Sequence, residues 1–73
     1  MKIKDIYSCC DEFETIQILQ VNHGKYYQIY FDKVMNIPDD FSNYNIIKHS
    51  LALELDADGY PYLIVSVYEV YNL

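Results

Sequence analysis

The chain contains no arginine and no tryptophan, and only two glycines, two prolines and two cysteines among its 73 residues. Without arginine it lacks the planar, bidentate fork that grips phosphate best. Two glycines leave no room for a glycine-rich loop around a phosphate. The cysteines are neighbours, Cys9 and Cys10. A bridge between them would close a strained ring and tie no distant segments together. There is no C-x-x-C pair either, so neither a disulfide framework nor a zinc knuckle is expected. Free thiols in a reducing cytoplasm follow from this reading. No long apolar run occurs: the opening MKIKDIYSCC is charged and then mixed, unlike a signal peptide, and no later stretch approaches a membrane span.

What is abundant is tyrosine and acid. Nine tyrosines and eleven acids stand against five lysines, for a net charge of −6. Such a surface repels nucleic acid and anionic membrane, so neither is expected as a direct partner, and it favours basic proteins. The plainer reading of the charge is dispersal in solution. At this length the whole chain, residues 1–73, reads as one domain with a thin core. Domains of this size often hold only about 3–5 kcal/mol of net stability, so oligomerisation would help.

The patterning predicts an α+β domain. Ile3, Ile6, Tyr7 and Cys10 recur at helical spacing, giving an N-terminal helix over 3–10. Residues 14–21 alternate and are β-branched, Asn22-His23-Gly24-Lys25 supplies a turn, and 26–32 return. Strict alternation would send Tyr27, Ile29 and Phe31 to the core and Tyr26, Gln28, Tyr30 and Asp32 away from it. Pro38 with Asp39 and Asp40 suits a helix start, so a short helix is expected over 38–44. Residues 46–56 alternate again, with Ile47, His49, Leu51, Leu53 and Leu55 on the expected core face. Asp56-Ala57-Asp58-Gly59 makes a turn into 61–71, a strand apolar on both faces and therefore central or covered on both sides. The expected order is helix, hairpin, short helix, hairpin, around a four-stranded, mainly antiparallel sheet.

The opening MKIKDI, the stretch from Asn36 to Tyr44 and the strand-turn-strand around Asp58-Gly59 resemble short acidic proteins of Firmicutes phages and mobile elements. Residue usage agrees: frequent Ile, Asn, Tyr and Lys without Arg or Trp is the habit of an AT-rich genome. Some small acidic phage proteins of this kind inhibit host defence, anti-CRISPR proteins among them. The resemblance implies a helix-led, four-stranded plan and carries no functional residue across.

Candidate chemistry fails for want of partners. Asp56-x-Asp58-Gly59 opens like a calcium loop, but the twelfth position, where glutamate is needed, is Val67. His23 and His49, with Cys9 and Cys10, supply too few convergent ligands for zinc, so no metal or cofactor is expected. A thiol hydrolase pairing Cys9 or Cys10 with His49 would need an activated thiol and oxyanion donors that nothing supplies.

The tyrosines remain. They offer large area with a polar tip and suit interfaces, although covering the second face of a sheet explains them as well. The final strand is one possible homodimer seam. The acids gather at Asp11, Glu12 and Glu14, at Asp39 and Asp40, and at Asp56 and Asp58. Ranged on one side, they would imitate a phosphate backbone. The expectation is a non-enzymatic inhibitor that occludes a basic groove of a host defence protein, such as a CRISPR nuclease, in the host cytoplasm. Its contacts would be Asp39, Asp40, Asp56, Asp58, Tyr26 and Tyr30. The alternative is a small homo-oligomeric accessory protein of a phage or bacterium.

Overall fold

A computed structural model describes residues 1–71. It holds one four-stranded mixed sheet, one short helix and three 3-10 turns. The strands are β1 (Thr15–Asn22), β2 (Lys25–Lys33), β3 (Asn45–Leu55) and β4 (Pro61–Tyr71), in the order β2-β1-β4-β3. Both sequential pairs are antiparallel hairpins, as the turns predicted. The two hairpins join through β1 and β4, which run parallel over Ile16–Gln20 and Ser66–Val70. The doubly apolar last strand is indeed central.

The N-terminal helix is shorter than its spacing suggested. Ile3–Asp5 forms a 3-10 turn and α1 (Ile6–Cys9) a single α-helical turn, ending where Cys10 becomes extended. The Lys2 amide donates to the Asp5 carboxylate at 2.8 Å, and the Ser8 hydroxyl donates back to the Asp5 carbonyl at 2.8 Å. The segment is held mainly by tertiary bonds. Ile3 and Lys4 amides donate to the Tyr44 and Ser42 carbonyls, each at 3.0 Å. The expected helix over 38–44 is likewise one 3-10 turn, Asp39–Phe41, because every bond there closes three residues back.

These pieces and the connection from β2 to β3 cover one face of the sheet. Ile3 and Ile6 meet Ile16 and Ile18 of β1, Val34 and Ile37 of the connection, and Tyr68 and Val70 of β4. Phe41 and Tyr44 close the rim, their rings 5.3 Å apart, and the Tyr7 hydroxyl donates to the Ile37 carbonyl at 3.2 Å. On the other face of β4, Val65, Val67 and Glu69 are also withdrawn from solvent. Glu69 faces Lys48 across the strands with 3.8 Å between charged atoms.

Irregularities in the ladder overturn two expectations. In β2, Ile18 pairs with Tyr30 but Leu19 with Gln28, so Ile29 is an extra residue. The bulge reverses the alternation beyond it: Ile29 and Tyr30 pack on the core, while Phe31, expected inside, is turned away and exposed. Tyr27, before the bulge, keeps the expected face opposite Gln20 but is exposed, outside the buried cluster. In the first hairpin turn, His23 (φ 53°) and Gly24 (φ 76°) take positive φ. Positive φ at both central residues is what a two-residue turn matching strand twist requires.

Candidate protein-binding surface

The β3–β4 hairpin runs past its support. β1 pairs with β4 only from Ser66 to Val70, and among the described residues no strand pairs with Pro61–Val65 on that side. α1 and the connection cover the other end of the sheet, so among the described residues nothing lies over the far half of β3. Leu51, Leu53 and Leu55, expected in the core, are therefore exposed, Leu51 at 68%. Ile64, opposite Leu53, is 63% exposed, and Tyr62 beside it is equally open. The shared face of these leucines was read correctly, and the missing quantity was how far the covering layer extends. Ile47, expected on the same face, is instead the extra residue between Ile46 and Lys48 and is exposed, while Ile46 packs on the core.

These five side chains form an apolar strip along the projecting arm. Its exposed area is on the order of 500 Å², near the upper end for the largest patch on an ordinary monomer, and such patches are often functional. Two shallow depressions indent it. One, about 410 Å³, lies at the start of β1 between Phe13, Leu51, Ile64 and Ser66. The other, about 500 Å³, lies towards the tip between Leu53, Pro61, Tyr62 and Ile64. Glu14 and Thr15 also line the first, whereas leucine, isoleucine, proline and tyrosine wall the second. Such apolar walls suit the side chains of another protein better than a polar substrate.

The acidic residues singled out in the sequence stand at the two ends of this arm. Asp39 and Asp40 lie in the turn tied to the start of β3 through Phe41 and Tyr44. Asp56 and Asp58 lie at its far end, and β3 between them is eleven residues, about 35 Å of extended chain. The two acid pairs are not brought together. Asp56 is also occupied locally: its Oδ1 accepts the Asp58 amide at 3.0 Å and the Tyr60 amide at 2.9 Å. Gly59, at φ 83°, completes that turn.

The two tyrosines separate as well. Tyr26 is exposed on the face away from α1, opposite Val21. Tyr30 lies on the α1 side; its hydroxyl donates to the Lys33 carbonyl and its ring meets the Phe41 edge at 6.5 Å. The Ile29 bulge is the reason, and no pattern in the sequence marks it. Burial, then the nearby Asp32 charge, raises the Tyr30 phenol. Nor is β4 available as a dimer seam along Ser66–Val70, since both its edges are paired there. Sequence reasoning missed the arm face itself, because exposed leucines at strand spacing look the same as buried ones.

A thiol, a phenol and an imidazole meet near α1. The Cys10 sulfur lies 3.3 Å from the Tyr68 hydroxyl, the Cys9 sulfur 4.0 Å from Cys10, and the His49 ring stacks on Tyr68 at 4.5 Å. Tyr68, not His49, is the thiol's partner. Burial raises Cys10 above its usual value despite the Tyr68 bond, which acts the other way. Burial, then the Cys10 bond, raises Tyr68 further. A thiol held protonated is a poor nucleophile, so this cluster reads as a polar clasp. Among the described residues, no three of His, Cys, Asp or Glu gather as metal ligands, and no helix is long and apolar enough to cross a membrane. Compared with known proteins, the chain matches no family model, no curated protein and no solved structure.

Proposed function

We propose that this chain is a non-enzymatic protein-binding module that docks through the apolar face of its β3–β4 arm and inhibits a host defence protein. The exposed strip of Leu51, Leu53, Leu55, Tyr62 and Ile64 carries the reading. Desolvating that strip supplies affinity, and the surface acids steer the approach. A basic partner fits the net charge of −6, and the resemblance to small acidic phage proteins makes a CRISPR nuclease the partner of choice. Asp39 and Asp40 at one end of the arm and Asp56 and Asp58 at the other would meet a basic rim. Tyr26, on the face away from α1, adds a contact only if the partner wraps the β2 edge.

The test is cleavage of target DNA by a purified CRISPR nuclease from a low-GC bacterium, with the chain titrated in. Inhibition that weakens with salt and is lost on reversing Asp39, Asp40, Asp56 and Asp58 to lysine supports the reading. Cleavage unchanged by the chain removes that partner. Inhibition that survives the reversal removes the role of the acids. A second reading, a small homo-oligomeric accessory protein, is favoured by the open outer edge of β3.

A further inference from the structure

β3 is the outermost strand, yet its outer edge is not bare throughout. Lys2 bridges Asn45, and the Ile46 amide donates to the Met1 carbonyl at 2.8 Å. The N-terminal segment thus fills the edge at the first two residues of β3. From Ile47 to Leu55 the edge meets no other strand among the described residues. Within that stretch, pairing with β4 is regular from Lys48 to Glu54, with a register shift on each side. The open edge and the regular stretch share one midpoint, Leu51.

We infer that this edge is built to pair with itself, so that two copies join β3 to β3, antiparallel, about a two-fold axis at Leu51. In that register each residue faces the one equally far on the other side of Leu51. Lys48 faces Glu54 of the second copy and Glu54 faces its Lys48. His49 faces Leu53, Ser50 faces Ala52, and Leu51 faces Leu51. Opposite charges directly across a pair of strands are favourable, and like charges are not. Slipping the register by two residues breaks both Lys48–Glu54 pairs. In one direction Lys48 would meet Asp56 instead, but Asp56 lies past the end of β3 with its carboxylate already accepting two backbone amides. A one-residue slip puts the leucines against the polar face. An edge guarded against pairing usually carries charge or a bulge within its length. Here no charged residue lies between Lys48 and Glu54, and the irregularities fall outside them. Asp56 and Asp58 lie beyond the paired stretch. The product is an eight-stranded sheet in which the two leucine rows adjoin, doubling the width of the apolar strip. The inference uses the edge of β3, not its face, and stands whether or not the proposed defence partner is the right one.

Light scattering during gel filtration tests the association. The wild-type chain is expected at twice its 8.7 kDa mass. Glu54→Lys, which sets lysines opposite each other at both ends, should weaken the dimer roughly tenfold or more. The register is tested in a Cys9→Ser, Cys10→Ser background. Leu51→Cys should cross-link under mild oxidation far faster than the similarly exposed Leu53→Cys, whose sulfurs would lie apart across the axis. Far-ultraviolet circular dichroism confirms that each variant is folded. A monomeric wild type at millimolar concentration overturns the inference, as does equal cross-linking at both positions or a dimer indifferent to Glu54→Lys. Because nuclease inhibition is measured separately, a monomer that still inhibits cleavage sinks this inference alone.

Discussion

The Tyr68 hydroxyl stands 3.3 Å from the Cys10 sulfur, so the central strand is tied directly to the end of the N-terminal helix. The helix is one turn long and could not persist alone. Its position depends on this clasp and on Ile3 and Ile6 beneath it. Tyr68→Phe should leave Cys10 without its phenol and cost about 1 kcal/mol in denaturant unfolding.

The clasp sets an alkaline limit. In the unfolded chain Cys10 ionises near 9.0 and Tyr30 and Tyr68 near 10.0; in the folded chain all three hold their protons to higher pH. Unfolding therefore releases protons above those values. The stability these groups give is complete at neutral pH and is lost from about pH 9 upwards, more steeply above 10. Thermal melts from pH 7 to 11 should show this, and Tyr68→Phe should flatten the steeper part.

The core is small enough for one truncation to unfold it. Ile18 is fully buried, in one cluster with Ile6, Val34 and Tyr68. Ile18→Ala should cost about 2–5 kcal/mol, comparable to the whole stability of a domain this size. Loss of the cooperative melt is the expected result. Leu53→Ala, on the exposed strip, should cost far less, although the sequence pattern treats the two residues alike.

That contrast marks what the sequence could and could not disclose. The four strands, both hairpin turns and the central place of β4 follow from alternation, turn residues and the doubly apolar last strand. The parallel β1–β4 junction does not, because it depends on how two independent hairpins meet. The face of Tyr30 was lost to one bulged residue, Ile29. The helices were overestimated because Ile3, Ile6 and Cys10 mark a buried side whether it is one turn long or three. The exposure of Leu51, Leu53 and Leu55 depends on where the covering layer ends, which is a property of the assembled fold.

Turn chemistry offers two opposite substitutions. His23 sits at φ 53°, a region asparagine tolerates better beside glycine. His23→Asn should stabilise the first hairpin by about 0.5 kcal/mol. Asp56→Ala removes the acceptor of two backbone amides at the other hairpin and should cost about 1 kcal/mol. Amide exchange at Asp58 and Tyr60 should quicken accordingly.

The docking role of the arm is tested most directly by surface plasmon resonance against the immobilised nuclease, comparing wild type with the triple variant Leu51→Ser, Leu53→Ser, Ile64→Ser. All three side chains are exposed, so the variant should keep its fold. The account predicts that binding weakens at least roughly a hundredfold, as expected when central apolar contacts of an interface are removed. Unchanged affinity in a folded variant would contradict it.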